Sequence, residues 1–559
     1  MKRFIAFVAA GICVSFALVP RVTGSQTKKE SAVRYAPGQI LVKLKADARP
    51  NAVAGSVDAA QLAQSILLEQ ATGAESLAVD VATEDTGLYL MRLDQGLSVD
   101  DAIRRASADP RVEYAEPDYL IYPSLTPNDA RFEEMWGLLN DGSSFGKVGA
   151  DIGATSAWDL TTGSDDVVVA IADSGVDLNH PDLAANAWVN PREIPGNGID
   201  DDGNGLIDDV NGWNFLANSN QLVEDFSTDF HGTHVAGTVG AVGNNGTGTT
   251  GVAWHVKLMS VKFLGSTPGT TSNAIKCIKY ASDERRHGVN VRVINASWGG
   301  AGNSQSLHDA IVEAGDLGIL FVCAAGNGGS DSRGDDLDED PDYPAAWAAD
   351  TSSVISVSAL DRSDSLPGFS NYGHTAATVA APGVSILSTT PFGGYGGSSG
   401  TSMSTPHVTG IAALLAAFSP SLTPSQIKER IIRTAVPVLS VASKTVASGR
   451  ANAFNALTNH VVPPGSPAIA SIRTNKKFVF VDGLNFANGS CVIEVNGVAL
   501  RKNKYNDDFV LANGTLTEVK AKLGKSGVIS TFPQFTQVMV TVFNPETGER
   551  SAAVGFTRL

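Results

Sequence analysis

Three short segments follow one another along the chain: Asp173-Ser174-Gly175, His231-Gly232-Thr233-His234-Val235-Ala236-Gly237 and Gly400-Thr401-Ser402-Met403-Ser404-Thr405-Pro406. They supply one carboxylate, one imidazole and one hydroxyl, the set that nucleophilic hydrolysis needs. A serine hydroxyl is a poor nucleophile near neutral pH, so a histidine must take its proton as it attacks. The histidine in turn needs a carboxylate to fix its tautomer and stabilise the imidazolium. Each residue alone has a plain alternative. Asp173 ends an apolar strand and could cap a turn, and Ser402 precedes an apolar helix and could be its N-cap. The glycines and alanine around His231 also suit a helix packed closely in a core. His231 and His234 are three apart, yet no glutamate lies between them, so the zinc-protease pattern is absent.

The order Asp, His, Ser separates this chain from the other common arrangements of the same three groups. The segments resemble the motifs of subtilisin-like serine proteases, and the resemblance runs from about Asn128 to Leu457. It implies that Ser402 is the nucleophile, His231 the general base and Asp173 its orienting carboxylate, with His234 in the supporting helix. Ser404 replaces an alanine common in the family, a change that leaves the assignment intact. Cys323-Ala324-Ala325-Gly326-Asn327-Gly328 resembles the segment that binds the oxyanion, so Asn327 is expected to donate its side-chain amide beside the backbone amide of Ser402. Asn295-Ala296-Ser297-Trp298-Gly299-Gly300 resembles the wall of the specificity cleft, where Ser297, Trp298 and Gly299 would pair with extended substrate. Trp298 stands where leucine is common and would either narrow a subsite or pack. Residues before Tyr343-Pro344 approach the primary specificity pocket in this family. Asp342 there would favour a basic substrate side chain; the alternative is a solvated acidic loop or a second calcium site.

Between Asp173 and His231 lies a metal pattern. Asp200-Asp201-Asp202-Gly203-Asn204-Gly205-Leu206-Ile207-Asp208 reproduces the opening of an EF-hand-type loop, with Asp200, Asp202, Asn204 and Asp208 as side-chain ligands and Leu206 offering its carbonyl. Asn211 stands where a bidentate glutamate is usual, which weakens the site. A solvated acidic loop is the alternative. By resemblance, Asp182 in His180-Pro181-Asp182-Leu183 is a second calcium ligand, with Asp129 as its partner. The cofactor expected is structural Ca2+.

Met1-Lys2-Arg3, the apolar stretch Phe4 to Val19 and the small residues Val22-Thr23-Gly24 read as a secretion signal over 1–24. No later segment has the apolar length to span a bilayer. A net charge of −17 gives no basic footprint for nucleic acid. Of the four cysteines, Cys13 falls in the signal; Cys277, Cys323 and Cys491 are too few for a disulfide framework. Cys277 and Cys323 read as buried thiols, with a bridge between them left open. The protein is expected outside the cytoplasm: extracellular, periplasmic or attached to the cell surface.

From Gly38 to Tyr122 short strands alternate with an amphipathic helix opened by Ser98, resembling an inhibitory propeptide over 25–122. The region 123–460 alternates apolar strands (Val167 to Ala172, Val256 to Phe263, Val291 to Asn295, Ile319 to Ala325, Val354 to Ala359) with helices (Asn273 to His287, Ser306 to Leu317, Ser402 to Phe418). That predicts an α/β fold, a parallel sheet with helices on both faces. A linker at 461–467 precedes short strands over 468–559, which fit an immunoglobulin-like sandwich and weakly resemble IPT/TIG domains. The expected protein is a secreted, self-processed, monomeric endopeptidase, its partners polypeptide substrates and its own propeptide. The alternative is a catalytically silent surface binding or adhesion protein working through the sandwich.

Overall fold

The structure is a computed structural model of the 559-residue chain. It describes residues 35–45, 78–83, 88–93, 97–119, 125–300, 302–462 and, with short gaps, 467–557. The expected signal 1–24, Tyr122 and most of the expected linker lie outside the described residues. The chain forms two units, Met1–Pro123 and Ser124–Leu559.

In the first unit, β1 (Tyr35–Leu44), β2 (Ala78–Thr83), β3 (Leu88–Arg92) and β4 (Val112–Tyr119) form an antiparallel sheet in the order β2-β3-β1-β4. Alternate β1 residues Ile40 and Val42 are buried with Met91, as a half-covered sheet requires. Helix α1 (Val99–Ser107) adds Ala102 and Ala106, one turn apart on one face. Ser98 caps it by accepting the Asp101 amide at 3.1 Å.

The second unit is built on a nine-stranded sheet among the described residues. Its strands are β5 (Gly163–Asp173), β6 (Gly212–Asn214), β7 (His255–Lys262), β8 (Val291–Ala296), β9 (Leu320–Ala324), β10 (Val354–Leu360), β11 (Val379–Pro382), β14 (Val436–Pro437) and β15 (Gly449–Arg450). The spatial order is β14-β15-β11-β10-β9-β8-β5-β7-β6, parallel except for β14 against β15. Strands covered on both faces read as continuous apolar runs, and Val167 to Asp173 are all buried. Successive β5 side chains serve opposite layers. Val167, Val169 and Ile171 join one core with α2 (Phe226–Gly240) and α5 (Thr401–Phe418). Val168, Ala170 and Ala172 join the other with α3 (Thr271–Arg286) and α4 (Gln305–Asp316). Cys277 and Cys323 lie in that second core as free thiols, which settles the bridge left open by the sequence.

Helix α2 begins at Phe226, capped by Asp225, and His231 lies in its second turn. Helix α5 is apolar on nearly every face and runs buried through the unit. A hairpin of β12 (Ile386–Thr390) and β13 (Gly394–Ser398) covers α2. At the C-terminal end two antiparallel sheets enclose one apolar cluster containing Val479, Val481, Phe486, Ile493, Val519, Val540 and Val542. One sheet is centred on Phe478–Ala487 and the other on Gln537–Asn544. No helix among the described residues is long and apolar enough to cross a membrane.

Candidate active site

Asp173 ends β5 at its carboxyl edge with no exposed surface. A buried carboxylate needs partners, and its Oδ1 accepts from the Ser174 amide at 2.7 Å and from His231 Nδ1 at 2.8 Å. Because the carboxylate accepts, the proton sits on Nδ1 and the lone pair on Nε2. The His231 side chain stays 34% exposed. Desolvation pulls its pKa down, but the Asp173 charge and hydrogen bond outweigh it and leave the pKa raised. The closeness of α2 to the turn after β5 depends on Gly232, since a Cβ there would stand 2.3 Å from Gly175 O.

Two groups that sequence reasoning missed hold this turn and helix together. Lys262 is opposite Asp173 in the β5–β7 register and is fully buried. Its ammonium donates to Ser174 O at 2.6 Å and to the Asp229 carboxylate, two residues before His231. Asp229 Oδ2 also accepts the Glu224 and Asp225 amides. His234 donates Nε2–H to Ile386 O and Gly396 O, and burial lowers its pKa to about 4, so it is a neutral anchor to the β12–β13 hairpin.

Ser402 lies in the first turn of α5, behind Gly400 at φ +154°, a conformation open to glycine. Its Oγ donates to Ser297 O at 3.1 Å. Pro406, one turn on, has no N–H to give Ser402 O, and the Ser297 hydroxyl takes that carbonyl at 2.9 Å. Asn295 Nδ2 donates to the same Ser297 hydroxyl, and Thr409 of α5 donates to Asn295 Oδ1. The proline that would break a helix elsewhere thus leaves a carbonyl through which the Ser402 turn docks on the Ser297 segment.

Asn327 follows β9 and is exposed. Its Oδ1 accepts both the Thr401 amide at 2.9 Å and the Thr401 hydroxyl at 3.1 Å, which fixes the amide's orientation and leaves Nδ2 as a donor. A Cβ on Gly400 would stand 3.6 Å from Asn327 Nδ2 and 3.7 Å from Ser402 N. The Asn327 side-chain amide and the Ser402 backbone nitrogen therefore lie close together at a helix N-terminus, where developing negative charge is favoured. Trp298 turns its ring into the core against Phe263 and Phe321, its indole donating to Ala172 O. Its side chain packs in the core, while Ser297 meets Ser402 through its carbonyl and its hydroxyl.

The acidic loop brings Asp200 and Asp202 together with Glu193, one carboxylate oxygen from each lying within 4.8 Å of the others. Glu193 was not foreseen. Its Oε1 accepts the Asp201 and Asp202 amides, and its buried Oε2 has no partner among the described residues. Asp208 stands outside this group, its oxygens accepting the amides of Gly196, Asn197 and Gly198. Asn204 turns its amide to Asp209, its Oδ1 accepts the Leu206 amide, and Asn211 bonds Trp188 O. Asp182 is fully buried, bonded by Asn245 Nδ2 and the Thr249 amide; nearby Asp129 keeps an unpartnered buried oxygen and a pKa raised by burial.

Residues 164–470 match the model of the subtilase family, and residues 22–118 match the N-terminal prodomain of fervidolysin. The chain is 33% identical over 490 residues to an extracellular protease of Xanthomonas campestris, covering 83% of this chain and 79% of the relative. It is 34% identical over 363 residues to a thermophilic serine proteinase of Bacillus sp. strain AK1 (65% and 76% covered). Thermitase of Thermoactinomyces vulgaris is 36% identical over 307 residues (55% and 93% covered). A solved protease of Pseudoalteromonas arctica aligns at a TM-score of 0.47, with 32% identity, over 60% of this chain and 99% of that one. The chain belongs to the subtilase family and is a subtilisin-type serine endopeptidase carrying a fervidolysin-like prodomain.

Proposed function

We propose that Ser402 attacks the carbonyl of a peptide bond, with His231, Asp173 and Asn327 as the other catalytic residues. The Asp173–His231 hydrogen bond carries this reading, because it leaves Nε2 as the base while Asn327 and α5 supply oxyanion donors. Ser402 Oγ exchanges its bond to Ser297 O for one to Nε2 and passes its proton there as the new C–O bond forms. The oxyanion takes hydrogen bonds from Asn327 Nδ2 and the Ser402 amide. The imidazolium, stabilised by Asp173, then protonates the leaving amine; water resolves the acyl-enzyme by the reverse sequence. The Ser297–Gly299 segment pairs with extended substrate. Casein hydrolysis abolished by a serine-directed inhibitor supports the reading; processed, folded protein inert on every unfolded substrate contradicts it. Asn327→Leu should lower kcat by about 10²–10³-fold, the magnitude found for the same change of donor in a related subtilisin, with KM little altered. A drop below about threefold would remove Asn327 from the oxyanion site.

The basic and apolar N-terminal segment and relatives named extracellular support secretion. The prodomain is the intramolecular inhibitor, removed by cleavage between Tyr122 and Asn128. Asn128 is anchored just beyond that stretch, its side chain accepting the Gly246 amide and its backbone amide bonding Asn244. The mature enzyme, 123–460 with the immunoglobulin-like body at 468–559, acts as a monomer.

Calcium fits two places. Glu193, Asp200 and Asp202 would hold one ion, and Asp182 with Asp129 a second; the orphaned buried oxygens of Glu193 and Asp129 suit a cation. Bound there, the ion would offset carboxylate repulsion and take no part in the reaction. Chelation should lower the Tm by about 5 °C or more, given about 2–3 kcal/mol of linked stability. Asp202→Asn should shrink that difference. An unchanged Tm with no metal in native mass spectra would reject both sites.

A further inference from the structure

The Ser297–Gly300 and Ala325–Asn327 segments flank Ser402, one accepting its hydroxyl and the other bonding the preceding residue, Thr401. If Ser402 is the nucleophile and the Ser297–Gly299 segment pairs with extended substrate, as proposed above, the side chain of the residue that owns the attacked carbonyl falls beside these two segments. Both segments carry glycine there. A Cβ on Gly299 would stand 3.3 Å from Asp342 Oδ2, and one on Gly326 would stand 3.0 Å from the same oxygen. One carboxylate oxygen therefore lies beside both glycines, with Asn371 Nδ2 also at Gly326.

Asp342 is held there. Its Oδ1 accepts the Gly300 amide at 2.6 Å, and Tyr343, the next residue, stacks its ring on Trp347 at 4.9 Å. The side chain is half-buried and has no ion pair among the described residues. Burial raises its pKa, and Asp335 and Asp340 add repulsion, so a cation brought to it would relieve both costs. A merely solvated acidic loop does not account for a desolvated carboxylate set between the walls of the cleft.

We infer that Asp342 is a specificity-determining residue that selects substrates with lysine or arginine on the acyl side of the scissile bond. A guanidinium or ammonium entering between Gly299 and Gly326 would meet Oδ2 in a charge-assisted hydrogen bond, out of bulk water.

The test is a fluorogenic peptide library varied at that single position, read on the mature enzyme, with Asp342→Asn alongside. Asparagine keeps an acceptor for the Gly300 amide and removes only the charge, so the loop stays braced. The expected result is a kcat/KM for arginine or lysine at least about tenfold above leucine, with that ratio falling at least tenfold in Asp342→Asn and recovering in part in Asp342→Glu. Competitive inhibition by benzamidine should weaken in parallel. Hydrolysis that prefers large apolar residues, or a basic preference unmoved by Asp342→Asn, overturns the inference and leaves the Ser402 mechanism standing. Absence of any Ser402-dependent hydrolysis across the library overturns both.

Discussion

His231→Ala should lower kcat by about 10⁶-fold, the magnitude found when a related subtilisin loses its base. The reason lies in the bond between a fully buried Asp173 and a partly exposed imidazole: it sets which nitrogen is basic and how basic it is. The pH dependence follows with a definite sign. Asp173 raises the His231 pKa above its ordinary 6.5. Only neutral His231 accepts a proton, so kcat/KM should climb with pH through a value above 6.5. Asp173→Asn removes the charge, so the acid limb should move to lower pH while kcat falls by about 10⁴-fold. Steady-state kinetics from acid to mild alkali check both effects. A limb that stays in place in Asp173→Asn would mean that His231 is not the titrating base.

The second large effect concerns stability. Lys262→Met strands Asp229, a carboxylate with no exposed surface, beside two backbone amides and no cation. Breaking one side of such a buried pair costs about 3–5 kcal/mol, so the Tm should fall by about 10 °C. Replacing both partners, as in Lys262→Met with Asp229→Asn, should recover part of the loss, because the uncompensated charge is gone. Thermal melts of inhibitor-blocked enzyme measure this without self-digestion. A shift below about 3 °C, or strict additivity of the two substitutions, would show that the pair does not tie the Asp173 turn to the His231 helix.

Much of this was legible in the residues because the chemistry is concentrated. Asp173, His231 and Ser402 each sit in a short run of small residues imposed by close packing, as Gly232 against Gly175 shows. The inner strands were legible for a different reason: burial on both faces leaves long apolar runs such as Val167 to Ala172. What escaped notice lacks local signals. The first turn of α2, Phe226 to Phe230, is made of aromatic and short polar residues with little helix preference, so the helix reads as beginning at His231. Glu193 reaches the acidic loop from outside the contiguous EF-hand template, while Asp208, at φ +53°, turns toward the 196–198 amides instead. Lys262 reads as the solvated end of a strand until the fold brings Asp229 over it. Edge strands of two residues, Val436–Pro437 and Gly449–Arg450, are too short to show any alternation.

Covalent labelling of the mature enzyme with a fluorophosphonate, followed by mapping of the adduct by mass spectrometry, tests the central assignment most directly. One nucleophilic serine, activated by His231 and served by the Asn327 amide, predicts a single adduct, on Ser402, formed in step with the loss of caseinolysis. The adduct should be absent in His231→Ala and in heat-unfolded protein. Labelling of a different serine, or full inhibition with Ser402 unmodified, would contradict the mechanism.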